Sequence, residues 1–240
     1  GLAVDHENVF VVYAAIGKKL YKTEDCSRTW EEIFTDNSSY PYITSVHVDH
    51  FNTKNLFLTL STGDLLRSTD QGKSWQTIYR FGKEIKRIFI HPADSRIIFA
   101  NIRDNDIFVS KNGGYEWESL EESFKEFRVG TALQDMQMFK DDKNLIYMAL
   151  ESGLLRSTDG GSNWEALELL PPNKKADIKS MAVNPNDKNI LYYITSNTFY
   201  KSVDAGASWS PKMLPSTREA KILLLDNEDP DVMFLGLGPE

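Results

Sequence analysis

Apolar and polar positions alternate along this chain in short runs, and the runs return at a nearly fixed interval. One unit reads Thr44-Ser-Val-His-Val-Asp, a polar turn, then Asn55-Leu-Phe-Leu-Thr-Leu. The same unit returns as Lys86-Arg-Ile-Phe-Ile-His-Pro with Ile97-Ile-Phe-Ala-Asn-Ile, as Asp135-Met-Gln-Met-Phe with Leu145-Ile-Tyr-Met-Ala-Leu, and as Lys179-Ser-Met-Ala-Val-Asn-Pro with Ile190-Leu-Tyr-Tyr-Ile-Thr. Alternation with period two predicts half-buried strands, and the nearly continuous apolar second run predicts a strand buried on both faces. A third run follows, Leu65-Leu-Arg-Ser, Leu154-Leu-Arg-Ser or Phe199-Tyr-Lys-Ser, and a fourth begins at a tryptophan, as in Trp75-Gln-Thr-Ile and Trp164-Glu-Ala-Leu.

Between the third and fourth runs stands a single motif. It occurs as Thr23-Glu-Asp-Cys-Ser-Arg-Thr-Trp30, Ser68-Thr-Asp-Gln-Gly-Lys-Ser-Trp75, Ser110-Lys-Asn-Gly-Gly-Tyr-Glu-Trp117, Ser157-Thr-Asp-Gly-Gly-Ser-Asn-Trp164 and Ser202-Val-Asp-Ala-Gly-Ala-Ser-Trp209. These hold all five tryptophans, spaced 45, 42, 47 and 45 residues apart. Ser/Thr-x-Asp-x-Gly-x-x-Trp reads as a tight turn between antiparallel strands. The acceptor side chain of Asp25, Asp70, Asn112, Asp159 or Asp204 serves the turn's N–H groups, and glycine supplies a costly backbone conformation. Trp30, Trp75, Trp117, Trp164 and Trp209 are expected to fold back as core anchors, each deletion costing roughly 3–5 kcal/mol. Two copies depart from the pattern. Ser27 replaces glycine, which makes its turn the weakest, and Asn112 replaces aspartate while keeping an acceptor oxygen.

The motif resembles the Asp box, or BNR repeat, of sialidases, family-74 glycoside hydrolases, sortilin-type receptors and photosystem assembly factors. The resemblance implies an all-β propeller, and four short strands per repeat is the spacing of a blade. The repeats fall at about 2–42, 43–84, 85–131, 132–176 and 177–218, with a partial copy at 219–240. Residues 1–240 are therefore expected to form one domain of five four-stranded blades plus half of a sixth. The two ends duplicate each other rather than complement each other, so the chain is expected to be part of a larger ring of roughly six to ten blades.

Composition narrows the function. A net charge of −8 argues against a nucleic-acid partner. No run approaches 18 apolar residues, so no direct membrane span is expected. One cysteine, Cys26, excludes an internal disulfide framework and a cysteine-rich zinc site. Gly1 is not a natural start, and an extracytoplasmic setting (secreted, periplasmic or cell-surface) is expected. Asn37-Ser-Ser is a formal glycosylation sequon.

The candidate chemistry is sparse. Glycoside hydrolysis needs paired carboxylates or a tyrosine nucleophile with an acidic partner. Asp104, Asp106, Asp135 and Asp177 sit where loops reach a propeller axis, but each reads better as a solvated loop charge. His47-Val-Asp-His50 suggests a metal. Along a strand, however, His47 and Asp49 share a face that His50 does not, and Asp49 aligns with the turn residues His91, Asn184 and Asp226. No catalytic residue, metal or cofactor is expected.

One feature follows the repeat. The residue before the box Ser/Thr is Lys22, Arg67, Val109, Arg156 and Lys201. Four cations at equivalent points form a basic stripe on an acidic protein, the alternative being local pairing with neighbouring acids. The favoured reading is a non-catalytic scaffold or assembly propeller that binds another protein or complex through this stripe. The alternative is a carbohydrate-active, glycoside hydrolase-like or glycan-binding propeller. The third is a fragment of a sortilin-like receptor ectodomain.

Overall fold

The computed structural model of the chain describes residues 1–37, 42–127, 129–130, 132–171, 176–226 and 228–239. The chain divides into two compact units, Gly1–Leu120 and Glu121–Glu240.

The first unit holds three antiparallel sheets of four strands. Blade 1 is β1 (Leu2–Val4), β2 (Val12–Ile16), β3 (Lys19–Thr23) and β4 (Glu31–Thr35). Blade 2 is β5 (Ile43–Val48), β6 (Leu56–Leu60), β7 (Asp64–Ser68) and β8 (Gln76–Arg80). Blade 3 is β9 (Ile85–Ile90), β10 (Ile98–Ile102), β11 (Ile107–Ser110) and β12 (Glu118–Ser119). The second unit opens with the short helix α1 (Glu121–Lys125). Blade 4 follows as β13 (Leu133–Met138), β14 (Ile146–Leu150), β15 (Gly153–Ser157) and β16 (Glu165–Ala166), and blade 5 as β17 (Ser180–Val183), β18 (Leu191–Ile194), β19 (Thr198–Ser202) and β20 (Ser210–Met213). A two-stranded sheet, β21 (Ala220–Leu225) and β22 (Met233–Leu237), completes the unit. Each sheet is an up-and-down meander in chain order. This is a propeller architecture of five blades and part of a sixth.

The second strand of each full blade shows why the apolar run is unbroken. All five residues of β6 are buried. Successive side chains point to opposite faces, so Leu56, Leu58 and Leu60 join the core shared with blade 1, while Phe57 joins the core shared with blade 3. In β18, Leu191 and Tyr193 pack toward blade 4, and Tyr192 and Ile194 toward the two-stranded sheet. Blades 2 and 5 are thus cemented through both faces, and each seam within a unit is a small hydrophobic core. Outside these seams, Leu2, Val4 and Ile16 on blade 1 and Ile222, Leu224 and Phe234 on the two-stranded sheet are exposed.

The box turns are built alike. In blade 2 the Ser68 hydroxyl accepts from Gly72 N at 2.8 Å and donates to Asp70 Oδ1 at 2.7 Å. Asp70 then accepts from Ser74 N at 2.9 Å and Ser74 Oγ at 2.6 Å. Blades 1, 4 and 5 repeat the scheme, with Asp25, Asp159 and Asp204 accepting from Thr29, Asn163 and Ser208. Hydrogen bonds from that residue four places on lead the causes that hold all four carboxyls down at about 2. In blade 3 the polarity is exchanged. Asn112 Oδ1 accepts from Glu116 N, and Asn112 Nδ2 donates to Glu116 Oε2, both at 2.9 Å.

Two residues of each turn, not one, lie in the left-handed region. They are Cys26 and Ser27, Gln71 and Gly72, Gly113 and Gly114, Gly160 and Gly161, and Ala205 and Gly206. Ser27 makes the same bond to Thr23 Oγ1, at 3.0 Å, with a φ of 66°. The weakest copy therefore keeps the turn against a backbone cost of order 1 kcal/mol.

The tryptophans are half-buried lids rather than full core residues. Trp75 stands edge-on to Phe34 of blade 1 at 5.6 Å between centroids, and Trp117 packs on Tyr79 and Phe81 of blade 2. Trp209 Nε1 donates to Glu168 O, just past the fourth strand of blade 4. These three rings each close the seam with the sheet before them, and Trp164 stands edge-on to Phe124 of α1 at 5.6 Å. Trp30, with no preceding sheet among the described residues, is 41% exposed.

Candidate functional site

The four repeat-phased cations lie on the third strands, each directly across from a second-strand aromatic. The register pairs Lys22 with Tyr13, Arg67 with Phe57, Arg156 with Tyr147 and Lys201 with Tyr192. Lys22 Nζ sits 5.9 Å from the Tyr13 ring centroid, the Arg67 guanidinium 5.5 Å from Phe57 and Lys201 Nζ 5.7 Å from Tyr192. Cations over aromatic faces are held by the ring quadrupole.

What completes each cation differs. Lys22 is buried, pairs with Glu24 at 2.5 Å and donates to Gln71 Oε1 of blade 2 at 3.3 Å. Arg156 pairs with its cross-strand neighbour Glu165 at 2.7 Å and donates to Ala205 O of blade 5 at 3.2 Å. Both reach the residue that follows the box aspartate of the next blade, so they stitch seams. Arg67 and Lys201 have no carboxylate partner among the described residues. Val109, the fifth position, is buried.

The carboxylates considered for hydrolysis are engaged locally. Lys83 Nζ lies 3.4 Å from Asp104, on a short 3-10 turn at Arg103–Asn105, and 3.1 Å from Asp106 just after it. Asp135 accepts from Met136 N and from Ser180 Oγ of blade 5, each at 2.8 Å. Asp177 pairs with Lys179 at 2.9 Å. In the first-to-second-strand turn, Asp49 accepts from Phe51 N, and the aligned Asn184 and Asp226 accept from Asn186 N and Glu228 N, all at 2.8 Å. His47 Nε2 meets Ser45 Oγ at 3.1 Å. Burial, then Arg87 and His50, lower the His47 pKa to about 4. Of the sequon, Ser38 and Ser39 lie outside the described residues.

One cluster escaped sequence reasoning because its members come from different loops. Tyr42 donates to Glu84 Oε1 at 2.5 Å, and the Arg103 guanidinium pairs with Glu84 Oε2. They line a hollow of about 480 Å³ with Ser61, Thr62 and Lys83. A tyrosine beside an acid suggests a nucleophile, but the electrostatics run the other way. Glu84 raises the Tyr42 pKa, and the Tyr42 and Arg103 bonds lower that of Glu84, leaving a weak base beside a reluctant phenol.

Comparison with known proteins agrees with the architecture. The Sortilin-Vps10 family model (sortilin, neurotensin receptor 3) matches residues 63–153. Sortilin of Danio rerio is 30% identical over 113 residues, 44% of this chain and 14% of the relative. The chain spans 5% to 23% of the lengths of the curated relatives it matches. Among solved structures, an ancestral GH74 enzyme superposes with a TM-score of 0.72 at 20% identity, covering 96% of this chain and 33% of that one. YCF48 bound to D1 peptide superposes with a TM-score of 0.70 at 17% identity, covering 98% and 74%. Repeat, blade topology and these likenesses together make the chain a β-propeller with Asp-box (BNR) repeats, similar in sequence to sortilin over part of its length.

Proposed function

We propose that this chain is a protein-binding propeller of scaffold or assembly type in which, of the basic positions Lys22, Arg67, Arg156 and Lys201, it is Arg67 and Lys201 that meet acidic groups of a partner. The observation that carries this reading is the difference among those four. Lys22 and Arg156 are neutralised within the protein and shape the seams, whereas Arg67 and Lys201 keep cationic charge without a carboxylate. An arginine fork suits a carboxylate, and exposed charge acts mainly on association rate and specificity. The sortilin likeness and the likeness to a propeller solved with a bound peptide support a protein partner. The sortilin likeness also supports an extracytoplasmic setting.

A carbohydrate-active reading draws on the GH74 fold and on a xyloglucanase of Acetivibrio thermocellus, 24% identical over 193 residues. Its nearest arrangement of groups here is Tyr42, Glu84 and Arg103. Incubation with xyloglucan and with sialosides separates the two readings. Protein binding predicts no release of reducing ends or sialic acid. Turnover that disappears in Glu84→Gln would replace it with the enzymatic reading.

A further inference from the structure

Arg67 differs from its equivalents in ways that point to a ligand. Arg156 faces Glu165 across the β15–β16 ladder, and the matching position opposite Arg67 is Gln76. Lys22 takes its carboxylate from Glu24, next to the box threonine, and the matching residue in blade 2 is Thr69. Both acid positions are therefore neutral around Arg67. Among the described residues no acceptor reaches its Nε, although that atom is buried. A charged donor withdrawn from water without a partner is costly, and such orphans mark places where a partner belongs.

The surroundings keep the guanidinium in place and its flank open. Phe57 supports it from below. On the blade 3 side stands Gly113, whose missing Cβ would lie 3.9 Å from Arg67 Nη1. The box residue there is Asn112 rather than aspartate, and the carboxylate of that turn, Glu116, is engaged by Asn112 Nδ2 at 2.9 Å.

We propose that Arg67 is a carboxylate-binding subsite at the seam of blades 2 and 3, where a ligand carboxylate takes the place that Glu165 takes on Arg156. A turn about the last side-chain bonds presents the Nε edge, and exposed Gln76 gives way. The occupant is an aspartate or glutamate side chain, or a chain terminus, of a protein. That identity rests on the protein-binding reading, whereas the subsite can be tested alone.

The test follows the arginine Nε–H resonances by NMR while sodium acetate replaces sodium chloride at constant ionic strength. The Arg67 signal should move saturably and that of Arg156 should stay. Gln76→Glu, which supplies the cross-strand carboxylate, should abolish the movement in a folded protein. N-acetylalanine, with a terminal carboxylate, and N-acetylaspartic acid α-amide, with a side-chain carboxylate, then separate the two sources by which saturates first. An Arg67 signal that does not move, moves no more than those of other arginines, or still moves in Gln76→Glu would overturn the subsite. If the subsite fails but a partner is still captured, only the subsite is lost.

Discussion

Arg156 of blade 4 donates through Nη1 to the main-chain oxygen of Ala205, the first of the two left-handed residues of the blade 5 box, at 3.2 Å. One side chain thus reads the turn geometry of its neighbour, and Lys22 does the same to Gln71 through the side-chain oxygen. For Lys22 and Arg156 the repeat that places a cation before the box also places an acceptor for it in the following box.

Removing that stitch should cost stability. Arg156→Ala is expected to lose about 1–3 kcal/mol, the range for hydrogen bonds to charged groups, in urea unfolding. Arg67→Gln should lose much less, because its guanidinium makes no such bond. Equal losses would show that the seam bonds do not distinguish the two.

Acid sensitivity should come from the boxes. A carboxyl held at about 2 when folded, against an ordinary 3.8, contributes stability that is complete above the ordinary value and is lost as pH falls toward 2. Asp204→Asn should therefore differ from the parent at pH 6 and converge with it near pH 2, as read from urea midpoints. A constant difference across that window would contradict the hydrogen-bond origin of the shift.

His47 works in a different window. Its folded pKa of about 4 lies below the ordinary 6.5, so the unfolded chain takes up the proton first. Stability is complete above about pH 6.5 and falls as pH drops to about 4, by no more than about 3 kcal/mol. His47→Gln should flatten thermal stability over that range. An unchanged slope would assign the loss to other groups.

The tryptophans should separate by position. Trp117→Ala removes a lid packed on Tyr79 and Phe81 and should cost about 3 kcal/mol. Trp30→Ala should cost under about 1 kcal/mol, because the ring is largely exposed. Matching costs would mean that Trp30 is covered in solution.

The blades were legible in the sequence because strand period and box are local. Leu56 to Leu60 announce a strand buried on both faces, and Ser68 to Trp75 announce the turn. What was not legible depends on the neighbouring sheet. Gln71 and Ala205 give no sign of a left-handed backbone, since the turn imposes it. Trp30 shares its motif with Trp75, and only the sheet beside it decides its burial. Lys22, Arg67, Arg156 and Lys201 look equivalent until Glu24 and Glu165 are seen to satisfy two of them. Tyr42, Glu84 and Arg103 are separated by whole strands and meet only because adjacent blades bring their loops together.

The most direct test of the protein-binding account is quantitative capture from the source cell on immobilised wild-type protein and on the doubly reversed Arg67→Glu, Lys201→Glu form. Circular dichroism and urea unfolding should show the two equally folded, because neither side chain makes a seam bond. The account predicts one protein or complex enriched by the wild type, released by raised salt as screening shortens to about 3 Å at 1 M, and lost from the reversed form. Equal recovery of that partner by both folded forms would contradict it.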